Sequence, residues 1–243
     1  TDAILYSRRI QYSILPGTEK LNSALETYFV FYKPKDIVSG DFYWAELSPN
    51  KKDLTFVAVA DCTGHGVPGA MVSLVVTRAL NSAVRENELT KPSDILDQTN
   101  DIVLEAFTDA ESGTIIKDGM DIALLSLDKS TPKISFQFAG AHNPLWIIRE
   151  KTNGNLIVND TEIEPNIDLG DYNLFEIKGD KQPIGYFENK VPFKNHAGEL
   201  VKGDRIYLIS DGYADQFGGP KGKKFKYKAL KNLLLSQQNI TIE

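Results

Sequence analysis

Apolar positions in the first fifteen residues recur at helical spacing. Ala3, Tyr6, Ile10 and Ile14 share one stripe, while Arg8, Arg9 and Gln11 lie elsewhere. The spacing predicts an amphipathic helix over 1–15, stopped by Pro16-Gly17. Such a helix either packs on a core or acts as a dimerising or signal-transmitting linker to a segment upstream. Beyond it the pattern turns to strands. Residues 25–32 and 53–60 read as strands, and the second (DLTFVAVA) is nearly continuously apolar, hence buried. Helices are predicted over 68–87, with Met71, Leu74, Val75 and Leu80 on the apolar face, and over 93–109, with Ser93 as N-cap. A second block of strands falls at 121–128, 133–139, 145–149, 174–177 and 204–210, and a last helix at 227–236. Between them, 150–172 is polar and reads as a surface excursion. Strands, two helices, strands and a helix favour layered α+β over a repeating βαβ fold.

Composition narrows the chemistry. A chain of 243 residues suits one large domain or two small ones. Acidic residues (33) exceed basic ones (27), for a formal charge of −6, which argues against a dedicated nucleic-acid binder. The single cysteine, Cys62, excludes a disulfide framework. With three histidines beside it, a Cys/His zinc site is nearly excluded, so any metal must lean on carboxylates. No apolar run approaches the ~20 residues that span a bilayer, and no secretory signal opens the chain, so a cytoplasmic setting is expected.

One local arrangement repeats. Asp61 ends the apolar run LTFVAVA and precedes Cys62-Thr63-Gly64-His65-Gly66. Asp211 ends RIYLIS and precedes Gly212, and Asp41 follows Ser39-Gly40. A buried carboxylate needs a cation, a donor or solvent. Glycine beside it lets the backbone approach closely and frees a carbonyl as an extra ligand. Three such acids converging from strand ends make an oxygen-rich pocket suited to Mg²⁺ or Mn²⁺. Taken singly, each Asp-Gly is also an ordinary turn.

SGDFYW (39–44), ADCTGHGVPGAMVS (60–73), GMDIALLSLD (119–128), FAGAHNPLWI (138–147), QPIG (182–185) and LISDGYAD (208–215) occur in this order. Together they resemble the SpoIIE-type branch of the PPM metal-dependent protein serine/threonine phosphatases, over residues 25–235. The opening helix, ending in RRIQYSILP, looks like the coiled linker that precedes this domain in bacterial signalling proteins. The resemblance implies two antiparallel β-sheets packed as a sandwich flanked by α-helices, with metals at one edge between the sheets. It implies a linker helix over 1–16 and a phosphatase domain over 17–243. Asp61 would bridge two Mn²⁺ or Mg²⁺ ions, the main-chain carbonyl of Cys62 and Asp41 would bind one of them, and Asp211 the other. The implied reaction is attack of a metal-activated water on phosphoserine or phosphothreonine. The implied substrate is a phosphoprotein such as an anti-sigma-factor antagonist, with a sensor domain upstream and a homodimer formed through the N-terminal helix.

Secondary residues keep two readings each. His65 is a general acid near the leaving group, or a turn histidine bonded to backbone. His142-Asn143 faces the metals from the opposite sheet, or forms a hairpin turn before Pro144. Asp121 opens a strand near the site without an assigned ligand role, Asp215 satisfies a loop, and His196 is expected in solvent. The lysines at 221, 223, 224, 226 and 228 form a solvated face or dock an acidic partner. The family's late Asp-Asp strand motif has no counterpart before Glu243, so an incomplete second metal site is expected. The alternative function is therefore a catalytically weak signalling or binding module of the same fold.

Overall fold

The computed structural model describes residues 2–220 and 222–240. Helices α1 (Asp2–Ile14) and α2 (Thr18–Ala24) lead into strands β1 (Asp41–Leu47) and β2 (Leu54–Cys62). Two helices follow: α3 (Gly66–Asn81), continued by a π-helical turn over Ser82–Glu86, and α4 (Pro92–Ala106). Then come β3 (Gly119–Asp128), β4 (Ser135–Ala141) and β5 (Leu145–Glu150). Three short strands, β6 (Leu156–Val158), β7 (Thr161–Ile163) and β8 (Ile167–Leu169), precede β9 (Tyr172–Ile177). After β10 (Ile184–Gly185), β11 (His196–Glu199) and β12 (Arg205–Leu208), a small hairpin of β13 (Phe217–Gly218) and β14 (Lys223–Lys224) leads to α5 (Lys226–Ser236).

The large sheet runs β1-β2-β3-β4-β11-β6-β7, with β10 beside β3, and the small sheet runs β12-β5-β9-β8. Strand alternation sorts β3 onto two cores. Ala123, Leu125 and Leu127 point at the small sheet and meet Leu145, Ile147, Phe175 and Ile177. Met120, Ile122 and Leu124 point the other way, under Val72, Val76 and Leu80 of α3 and Ile95 and Leu96 of α4. On the outer face of the small sheet, Leu230 and Leu235 of α5 cover Trp146, Ile148 and Leu174. Helix pair, sheet, sheet, helix: the expected sandwich is present. Each fully buried large side chain among these contributes about 1.5–3 kcal/mol.

Several expectations fail, each for a physical reason. Residues 25–32 form no strand. Phe29, Val30 and Phe31 are all exposed, so the run lacks both a partner ladder and a buried face. In α1 the inward residue is Gln11, buried against Ser39 and Ser73, whereas Tyr6 and Ile10 of the supposed apolar stripe are exposed. The face of α3 is rotated from the expected one: Met71 is exposed and Val72, Val76 and Ala79 are buried. The polar excursion at 150–172 contains β6, β7 and β8, which extend both sheets. Gly66–Glu86 is in fact long and apolar enough to cross a membrane, contrary to the reading of the apolar runs. It packs on the large sheet as a core helix.

Candidate metal centre

Register brings the acids together. In the ladder β1-β2-β3, Asp41 pairs with Asp61 and Asp61 with Asp121. Directly paired residues put their side chains on the same face. Alternation along β3 makes that the face toward the small sheet, because Asp121 is in phase with Ala123 and Leu125. The apolar sandwich thus gives way, at one end, to a row of three carboxylates. Asp211 reaches this row from the small sheet, just past β12. Its neighbour Ser210 donates from Oγ to Asp41 Oδ2 at 2.9 Å and ties the two sheets across the site.

Asp41 lies directly across from Asp61 in the ladder, and Ser210 brings the strand end that carries Asp211 to Asp41. Burial first, then the charge and contact of Asp41 and Asp211, push the Asp61 carboxyl up to about 8. Burial also raises Asp211, which Lys224 partly offsets. None of Asp41, Asp61 and Asp211 forms a salt bridge among the described residues. The upward shift of Asp61 marks a carboxyl whose charge lacks a compensating cation among the described residues. Among the described residues no three His, Cys, Asp or Glu side chains are already spread as a shell around one ion. A hard divalent cation fits the all-oxygen donor set and would compete with protons for it.

The flanking backbone is built tightly. A Cβ on Gly40 would lie 2.6 Å from the Cys62 carbonyl oxygen and 2.8 Å from that of Gly64, so only glycine allows this approach. Asp41 N–H donates to Ser39 Oγ at 3.0 Å, and Tyr32 Oη donates to the Asp41 carbonyl at 3.2 Å. The Cys62 carbonyl therefore lies against Gly40, the residue before Asp41, while its thiol is buried under α3 and pushed well up by that burial. The main chain of Cys62, not its sulfur, is the part the site can use.

The remaining predicted residues are placed as follows. His65 precedes α3 with a side chain 88% exposed, its Nδ1 3.3 Å from Asp36 Oδ2, and it is not among the groups that shift Asp61. His142 sits at the end of β4, on the same sheet as Asp121 and not on the opposite one, with Nδ1 2.7 Å from Asp121 Oδ1. Asp215 bonds Lys224 at 2.6 Å, as a loop-stabilising acid would. His196 is half-buried beside Phe138, and burial lowers its pKa, against the expectation of a solvent position. Lys223 and Lys224 are exposed in the hairpin, and Lys221 lies outside the described residues. Sequence reasoning missed Tyr227. Burial, then Asp211, Asp215, Asp61 and Asp121, push its phenol up to about 12, and its ring meets Trp146 edge to face at 5.9 Å. No local pattern marks that residue; only the fold of α5 over the small sheet does.

The model of the family described as stage II sporulation protein E (SpoIIE) matches residues 51–241. Among solved structures, the SiaA-PP2C domain of Pseudomonas aeruginosa is 27% identical, with a TM-score of 0.74 over 97% of this chain and 81% of that one. The RsbU and RsbW domains of a Mycobacterium tuberculosis protein are 17% identical, with a TM-score of 0.55 over 85% of this chain and 47% of that one. The PP2C phosphatase domain of SpoIIE from Bacillus subtilis, with a fragment of its regulatory domain, is 18% identical, with a TM-score of 0.51 over 83% and 47%. The chain thus spans about half the length of the last two, and at their identity the likeness is one of fold. No curated protein matches.

Proposed function

The chain belongs to the SpoIIE family, and on that footing we propose that it hydrolyses phosphoserine and phosphothreonine in proteins with the help of Mn²⁺ or Mg²⁺. The observation that carries this reading is the register that sets Asp41 against Asp61, with the Ser210 bond bringing the strand end of Asp211 to Asp41 at the mouth of the sandwich. Asp61 lies between Asp41 and Asp121 in the ladder, and the Cys62 carbonyl adds a neutral oxygen beside Gly40. The oxygens of Asp41, Asp61, Asp211 and Cys62 would hold the ions, which when bound supply Lewis acidity to a phosphoryl oxygen and to the attacking water. The chain's own contribution is position. Ser210 fixes Asp41, the tight Gly40 turn fixes the Cys62 carbonyl, and the dry sandwich behind the row keeps the charges at one end. No protein nucleophile is required. The family resemblance supports a phosphorylated regulatory protein, such as an anti-sigma-factor antagonist, as substrate.

The test is turnover of a phosphoserine peptide. Activity appears with added Mn²⁺ and falls by about 10²-fold or more in Asp61→Asn. Equal turnover in excess chelator contradicts the reading. One observation favours an alternative, a weakly catalytic module: among the described residues no three His, Cys, Asp or Glu side chains are grouped to hold a metal ion. Mn²⁺ binding at a single weak site, with no turnover, would select it.

A further inference from the structure

The row of acids does not stop at Asp121. In the ladder of β3 with β4, Ile122 pairs with Ala141, so the position opposite Asp121 is His142. Four neighbouring strands thus present Asp41, Asp61, Asp121 and His142 side by side at one end of the large sheet. His142 and Asp121 are bonded at 2.7 Å through Nδ1, and both side chains are 41% exposed. The bond occupies Nδ1 and leaves Nε2 as the free ring nitrogen, reachable from solvent. By strand spacing, the backbone of His142 is two strands, about 10 Å, from that of Asp61.

The turn that holds His142 is strained and firmly supported. His142 has φ +57°, left-handed and uncommon for a residue other than glycine. Its N–H donates to the Asp180 carbonyl at 2.8 Å. A Cβ on Gly140 would lie 2.4 Å from the Asn143 carbonyl oxygen and 3.0 Å from Gly179 Cα, so the turn is closed by glycines on both sides. Asn143 is buried with its amide nitrogen unpartnered, an arrangement that costs about 1–3 kcal/mol. Strain of this kind persists where the surroundings over-determine it and is concentrated at functional sites. His65, by contrast, turns its ring to Asp36 in solvent.

We propose that His142 is the general acid that protonates the departing serine or threonine oxygen, and that Asp121 positions it by holding Nδ1. The inference rests on the phosphatase reading above and deepens it. A water oxygen becomes bonded to phosphorus and the P–O bond to the side chain breaks. Its electron pair stays on the alcohol oxygen, which takes the Nε2 proton. The proton shed by the attacking water then restores His142. The products are the free hydroxyl and inorganic phosphate.

A poor leaving group needs that proton and a good one does not, which sets the experiment. Wild type, His142→Gln, Asp121→Asn and His65→Gln are assayed with saturating Mn²⁺ on a phosphoserine peptide, phenyl phosphate and p-nitrophenyl phosphate. Mn²⁺ titration and thermal melting of each variant confirm that it is folded and loaded. For His142→Gln the expected loss in kcat is about 10²-fold on phosphoserine, shrinking steadily as the leaving group becomes more acidic. Asp121→Asn shows the same trend with a smaller loss, and His65→Gln shows no such trend. Equal losses on all three esters, or a trend confined to His65→Gln, overturn the proposal while the phosphatase reading stands. A wild-type protein inactive on every ester removes both.

Discussion

Asp61 is the residue on which the charge of the site turns. Its folded carboxyl holds a proton up to about 8, against 3.8 for the ordinary group. Between those values the folded chain binds more protons than the unfolded one. The stability this contributes is complete below about pH 4 and is lost as pH rises through 8. The melting temperature of the metal-free protein, scanned calorimetrically in chelator, should therefore fall from pH 5 to 8.5. Asp61→Asn should flatten that slope, and saturating Mn²⁺ should oppose it by binding only the folded state. A wild-type slope unchanged in Asp61→Asn would show that burial of other groups sets it. The three proposed metal-binding aspartates were legible because each is marked locally, by an apolar run on one side and a glycine nearby. Asp121 and His142 carry a similar mark but no sign of their partnership, and Tyr227 carries none. Their relation to Asp61 depends on strand register and on where α5 lands.

Secondary structure was legible where burial enforces a period. LTFVAVA and DIALLSLD have become β2 and β3, the centre of the large sheet, because both of their faces are covered. LETYFVFY is as apolar, yet forms no strand, because propensity without a partner ladder holds nothing. Likewise α1 is held by a glutamine, which no hydrophobic pattern reveals: Gln11 receives the Ser39 N–H at 3.0 Å and bonds Ser73 Oγ at 3.2 Å. The start of α3 lies against the loop before β1 with no space to spare. A Cβ on Gly69 would stand 2.5 Å from the Gly64 carbonyl oxygen and 2.9 Å from Gly40 Cα. Both obstacles are backbone, so Gly69→Ala should destabilise by about 1–3 kcal/mol, read from the midpoint of urea unfolding. A midpoint unchanged from wild type would mean that this approach is loose.

The layered order of the whole molecule followed from the order of its elements, but the links between its sheets did not. Arg149, on β5, is one. Its guanidinium bonds both Asp204 oxygens, at 2.9 and 2.7 Å, and the carbonyls of Asn155 and Glu199. The two charged side chains are 5% and 2% exposed. Arg149→Met strands a buried carboxylate and should cost about 3–5 kcal/mol in denaturant unfolding. Adding Asp204→Leu should recover part of that loss. If the double variant is no more stable than the single one, the arginine acts through its carbonyl contacts instead.

The proposal that Asp41, Asp61 and Asp211 hold divalent cations is tested most directly by crystals soaked in Mn²⁺. Anomalous scattering measured at the manganese edge should show density bonded to Asp61 carboxylate oxygens, with Asp41, the Cys62 carbonyl or Asp211 completing each ion's contacts. Density elsewhere on the molecule and none at Asp61, in crystals saturated with the ion, would contradict the account.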